Sequence, residues 1–186
     1  MRWAKWILLI HLLMQTNYGQ AQDSALSADE FTLKAAYIYR LTEFIRWPEE
    51  ADWSETMEFE VACLGCDNRL VQSLNILFRE KQIKDRVVKI TTLYDLSQLK
   101  KPQILFIGSR ATSQLQEILE NPNNKGILFI SDSPGFGLRG VHINFVMVDR
   151  HIKLELNIDA IQHTQFSVNS RLMQVAILLP KKRAMR

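Results

Sequence analysis

GILFISDSPGFGLRGVHINFVMV, residues 126–148, decides how this chain folds. Within it GFGLRG, Gly135 to Gly140, matches the dinucleotide-binding pattern G-x-G-x-x-G at every position. That pattern holds a pyrophosphate only where a strand runs into the glycines and a helix leaves them, so that free backbone N–H groups and the positive end of the helix dipole face the phosphates. A strand, GILFIS, does precede the glycines. Beyond them lies VHINFVMV, in which Ile143, Phe145 and Met147 alternate with Asn144, Val146 and Val148, the period of a strand rather than a helix. Pro134 sits where the turn into a helix should tighten, and Glu155 stands only loosely at the distance of a ribose-binding acid. The stretch therefore reads as two strands joined by a glycine loop that reverses the chain between them, and no dinucleotide is expected.

Upstream, strands and helices alternate. Glu30 opens a helical pattern with Phe31, Ala35, Ile38 and Ile45 on one stripe, broadened by Tyr37, Leu41 and Phe44. Its predicted end is Trp47, because Pro48 disfavours helical backbone in the residue before it. FEVACLG (59–65) reads as a buried strand, and Asp67 as the cap of a helix carrying Leu70, Leu74 and Leu77. RVVKITTL (86–93) and ILFIG (104–108) are further strands, separated from GILFIS by a short helix, Thr112 to Glu120, with Leu115, Ile118 and Leu119 facing inward. Downstream, KLELNI comes after VHINFVMV with so short a turn between them that the two strands must be antiparallel neighbours. Leu172, Val175, Ala176 and Leu179 mark a last helix, stopped by Pro180. The fold expected is an α/β layered sandwich, with a mostly parallel central sheet flanked by helices and an antiparallel C-terminal strand pair.

The 186 residues suffice for one well-buried core. Residues 1–21 read as a secretory signal: Arg2 and Lys5 precede the apolar run Trp6 to Met14, and Gly19 and Ala21 supply small residues for cleavage. The run is too short to span a bilayer, which needs roughly 20 helical residues. A periplasmic protein is expected, with a flexible leader at 22–29, one domain at 30–180 and a basic tail at 181–186. The signal holds two of the 23 basic residues and none of the 20 acidic ones, so the remainder carries +1. With four of the basic residues in the tail (Lys181, Lys182, Arg183 and Arg186), the body is slightly acidic, which argues against nucleic acid as a partner.

Few residues point to chemistry. Cys63 and Cys66, the only cysteines, form C-x-x-C between a strand end and a helix start. In an oxidising compartment they can form a disulfide; the other readings are two buried thiols, or a thiol–disulfide exchange pair with one thiol activated by the helix N-terminus. Two cysteines without nearby histidines complete no zinc site, and His142, His151 and His163 lack ligand spacing, so each reads as a surface or strand histidine and no metal is expected. Ser109 lacks the second glycine of a nucleophile elbow. No catalytic residue, cofactor or enzyme activity is assigned. Trp47 and Trp53 flank the turn PEEAD, either covering the core edge or offering aromatics to a partner. A small-molecule ligand would meet the loop Asp132, Ser133, Pro134, Gly135, Phe136 and Gly137, with Arg171 as a further contact.

Several stretches together resemble a known family: KAAYIYRLTEFIRWP (34–48), VACLGCD (61–67), Arg86-Val87-Val88, ILFIGS (104–109), ISDSPGF (130–136), GVHINF (140–145), LELNI (154–158) and VNSRLMQVAILL (168–179). In this order and spacing, from Phe31 to Leu179, they are similar to the YfiR family of small periplasmic proteins. The resemblance implies a non-enzymatic regulator of similar layered fold. It would bind the periplasmic sensor domain of an inner-membrane diguanylate cyclase and hold it inactive, so that its loss raises cyclic di-GMP and biofilm formation. It also implies a capacity to form homodimers. The family's redox sensitivity rests on two disulfides, and here the chain departs. Cys63 matches a family cysteine, but Pro102 and Gln103 stand where its partner is expected, and the second pair is missing.

Overall fold

The computed structural model describes residues 30–48, 53 and 57–180. The signal, the leader, most of the PEEAD turn and the basic tail lie outside the described residues. A helix over residues 30–41, α1, is followed by β1 (Ile45–Arg46), β2 (Phe59–Leu64), α2 (Asn68–Leu77), β3 (Val88–Leu93) and β4 (Ile104–Ile107). Then come α3 (Leu115–Glu120), β5 (Leu128–Ser131), α4 (Phe136–Arg139), β6 (Ile143–Val148) and β7 (His151–Leu156). The chain closes with α5 (Ile158–Gln162), β8 (Ser167–Val168), α6 (Ser170–Val175) and β9 (Ile177–Leu178).

Seven strands form one sheet in the order β3-β2-β4-β5-β6-β7-β9. Strands β3 to β6 are mutually parallel, β7 returns antiparallel beside β6, and β9 runs parallel to β7. The inner strands read as unbroken apolar runs because both faces are covered. On one face Val61, Cys63, Ile104, Phe106, Leu128 and Ile130 pack beneath Phe31, Ile38 and Leu74 of α1 and α2. On the other Ala62, Leu64, Leu105, Ile107 and Phe129 pack against Leu115 and Ile118 of α3 and Phe136 of α4. The period of two along each strand thus feeds two cores. Asp149 and Arg150, with φ of 49° and 62°, make the tight two-residue turn that joins β6 to β7. This is the expected α/β architecture, including the antiparallel strand pair.

Three expectations are corrected. Helix α1 stops at residue 41, not at Trp47, because Ile45–Arg46 pair antiparallel with Ser167–Val168 and Asn169 N–H donates to the Phe44 carbonyl at 2.9 Å. The last helix ends at Val175, not at Pro180. Ile177 and Leu178 align with Glu155 and Leu156 as an edge strand, and Leu179 N–H donates to the Leu156 carbonyl at 3.0 Å. The glycine loop does not turn β6 antiparallel to β5: Ile130 faces Ile143 in a parallel ladder, and a single helical turn, Phe136–Arg139, lies in the crossover. That turn is too short to project a helix dipole onto a phosphate.

Candidate functional site

Open parallel sheets bind ligands outside the carboxyl ends of their strands. Here that end, the upper end, is where the sequence-selected residues fall. Leaving β2, the chain passes Gly65, with φ of +64°; leaving β4, it passes Gly108. The two backbones cross so closely that a Cβ on Gly108 would overlap the Gly65 carbonyl, and Gly108 N–H donates to the Leu64 carbonyl at 2.8 Å. This crossing places backbone against backbone between β2 and β4, the neighbours at which the strand order reverses.

Beneath it sit the two cysteines, both free and both buried. The Cys66 thiol donates to the Phe106 carbonyl at 3.4 Å. The neighbouring Cys63 thiol and burial push the Cys66 thiol far above its ordinary value. A thiol held protonated and out of solvent is not a nucleophile, so the geometry gives no support to thiol–disulfide exchange. The cysteine pairing implied by the family resemblance also fails on geometry. Cys63 lies opposite Phe106, whereas Gln103 stands one residue before Ile104, which faces Val61. Position 103 is therefore three residues down the ladder from Cys63, about 10 Å along the strands. That exceeds the reach of a disulfide, whose Cα atoms stand within about 7 Å. Gln103 has its own task there: its side-chain oxygen accepts from Glu60 N–H at 2.6 Å and stitches β2 to the start of β4.

The loop after β5 is structural in most of its length. Ser131 Oγ donates to the Ile107 carbonyl at 2.6 Å and accepts from Ser133 N–H at 3.1 Å. Ser133, Phe136 and Gly137 are buried, and a Cβ on Gly137 would meet Leu179 and Glu155. Pro134 and Gly135 are exposed. Arg171 is exposed on α6, and among the described residues no hydrogen bond or ion pair joins it to this loop. The residues proposed as a ligand site from sequence are thus not assembled into one.

Asp132 does belong to a constellation, one that no sequence motif marks. Lys34 Nζ lies 2.7 Å from Asp132 Oδ2 and 2.6 Å from Glu30 Oε1. Burial alone would lower the lysine pKa, but the hydrogen bonds to Asp132 and Glu30 outweigh it and hold the ammonium above its ordinary range. The triad tethers α1 to the upper end of β5 and borders a cleft of about 350 Å³ against Phe145, Met147 and Ile152 of the β6–β7 hairpin. A signal existed: Lys34 falls three residues after Phe31 and four before Ile38, on the buried stripe of α1. Beside it, Asp67 caps α2 through Arg69 N–H at 2.9 Å, and the Arg69 guanidinium holds the Asp67 carboxyl down at about 2.

The lower end carries the aromatics. Trp47 is buried rather than offered to a partner; its Nε1–H donates to the Gln103 carbonyl at 3.0 Å, and its ring meets Phe59 and Phe166 edge-on. Trp53 is half-buried, lies 6.0 Å from Trp47 between ring centres and takes the Arg86 guanidinium over its face. Of the two alternatives, covering the core edge is what Trp47 does. The two indoles, with Lys101 and Lys125, line a cleft of about 460 Å³.

Of the three histidines among the described residues, His142 is neither on the surface nor in a strand. It is buried just before β6, stacked on Phe129 at 4.9 Å. Its Nδ1 accepts from Phe129 N–H at 3.0 Å, and burial lowers its pKa to about 4.

Fold and sites together define a three-layer α/β domain whose upper-end polar groups are committed to holding the layers together. The chain matches the YfiR/HmsC-like family over residues 31–177 and belongs to that family. It is a regulatory family, associated with cyclic di-GMP signalling. No curated protein matches the chain.

Proposed function

We propose that this chain is an exported, non-enzymatic regulator that binds the periplasmic domain of an inner-membrane signalling protein, a diguanylate cyclase, and holds it inactive. The observation that carries the reading is the family match, because residues 31–177 span the whole seven-stranded sheet except its last residue, Leu178. The charged n-region and short apolar run of residues 1–21 support export.

Docking also has surfaces to use. Met147 and Val148 stand exposed at the tip of the β6–β7 hairpin, which rises above the end of β5. Val175 at the end of α6 and Ile177 and Leu178 of β9 are exposed, and among the described residues the outer edge of β9 is unpaired in the sheet order. Exposed apolar groups clustered in this way suit association with a partner protein, and an open strand edge suits pairing with a second copy.

The purified protein, immobilised and incubated with detergent-solubilised membranes from its own cells, is expected to retain one inner-membrane protein with a periplasmic domain. Cell fractionation is expected to place the chain in the periplasm. Recovery of no membrane protein, or residence in the cytoplasm, would contradict the proposal.

A further inference from the structure

At the lower end of the sheet a cleft of about 360 Å³ opens between α5 and the turn that precedes β5. His142 forms part of its floor. Because Nδ1 accepts the Phe129 N–H, the neutral ring must carry its own proton on Nε2. The residue is 5% exposed, and among the described residues that Nε2–H has no hydrogen-bond acceptor. An N–H that reaches the floor of a cleft and has no acceptor from the described chain is free to donate to a bound ligand.

The walls indicate what that acceptor belongs to. Lys125 and Arg139 are exposed on the lining beside the imidazole of His163, and Glu120 is the one acidic residue there, so that, counting the lysine, the arginine and the glutamate, the formal charge is +1. The Arg139 guanidinium lies over the Phe136 ring at 5.2 Å, which positions it without using its N–H donors. Leu119 and Ile127 supply apolar surface. One net charge with a neutral floor donor matches a monoanion; a doubly charged phosphate would leave one negative charge unbalanced. The volume falls within the range of small-molecule sites, about 300–1,000 Å³.

We propose that this cleft binds a small organic carboxylate, one oxygen of which accepts the His142 Nε2–H while Arg139 and Lys125 neutralise its charge and its apolar body lies on Leu119 and Ile127. The site draws on Arg139 and Gly140 of the crossover after β5 but on none of residues 132–137, and it does not depend on whether the domain docks a membrane partner.

Phenylacetate is a suitable probe, followed through the His142 imidazole resonances in long-range proton–nitrogen spectra of the purified protein. A saturable shift of the Nε2–H signal is expected with phenylacetate, with binding about tenfold weaker for neutral phenylacetamide and for Arg139→Gln, the size of one charge-assisted contact. His142→Asn can place its amide oxygen near the Nδ1 position but is too short to set a donor at the Nε2 position, and is expected to abolish binding. If that variant does not fold, the exposed Arg139→Gln decides the matter. An unmoved His142 signal, equal binding of phenylacetamide, undiminished affinity in Arg139→Gln, or inorganic phosphate competing as well as phenylacetate would overturn the proposal.

Discussion

The two ends of the central sheet are built on opposite principles. At the upper end, Gly65 and Gly108 bring two loops into backbone contact, the cysteines are sealed beneath them, and Lys34 is matched by Asp132 and Glu30. At the lower end, two clefts of about 460 and 360 Å³ flank the segment Lys125–Ile127, with indoles in one and a histidine donor in the other. An open parallel sheet ordinarily places its ligand at the upper end. In this molecule the upper-end polar groups join the layers beside one cleft of about 350 Å³, and two further clefts open at the lower end.

That contrast can be broken most severely at the glycine crossing. Gly108→Ala drives a methyl group into the Gly65 backbone, and an overpacked site that cannot relax costs about 3 kcal/mol. Urea unfolding is expected to show that loss, and near-wild-type stability would mean that the upper end is looser than described.

The lower end is sharpened by pH. His142 is neutral in the folded protein, with a pKa of about 4 against an ordinary value of 6.5. The unfolded chain therefore binds the proton first as pH falls. Stability is full above about pH 6.5, declines through the interval down to about pH 4, and changes no further from this group below it, for a total of about 3 kcal/mol. Unfolding free energies measured across that interval check the slope, which His142→Asn should remove. A wild-type protein with no such slope would contradict the buried neutral ring.

A smaller effect is expected at the triad. Lys34→Met leaves Glu30 and Asp132 facing one another without their cation. Breaking a fully buried pair costs about 3–5 kcal/mol, but both acids here are partly exposed, so about 2 kcal/mol is expected from denaturant midpoints. A neutral result would show that water already screens the two carboxylates.

The same contrast explains what the sequence disclosed. Strands β2, β4 and β5 were legible because each is an apolar run buried on both faces, and the β6–β7 pair because its alternation and tight turn are local. Ile45–Arg46 and Ile177–Leu178 were not, since each is a two-residue strand held by a partner more than twenty residues away. Periodicity assigned both to helices, and Val175, 71% exposed, shows where the last helical stripe ceased to face the core. The parallel sense of β5 and β6 was hidden by one helical turn inside the short segment between Ser131 and Ile143, too brief to register as a crossover. Among the sites, Lys34 was readable from its place on an apolar stripe. The His142 cleft was not, because it joins residues from the β5 turn, the start of β6 and α5 that share no spacing.

Regulation by docking is the central claim, and the level of cyclic di-GMP in cells lacking the chain tests it most directly. That level is expected to rise on deletion, and to be restored by the full chain with residues 1–21 but not by a chain from which they are removed. A level that stays unchanged on deletion would contradict the claim.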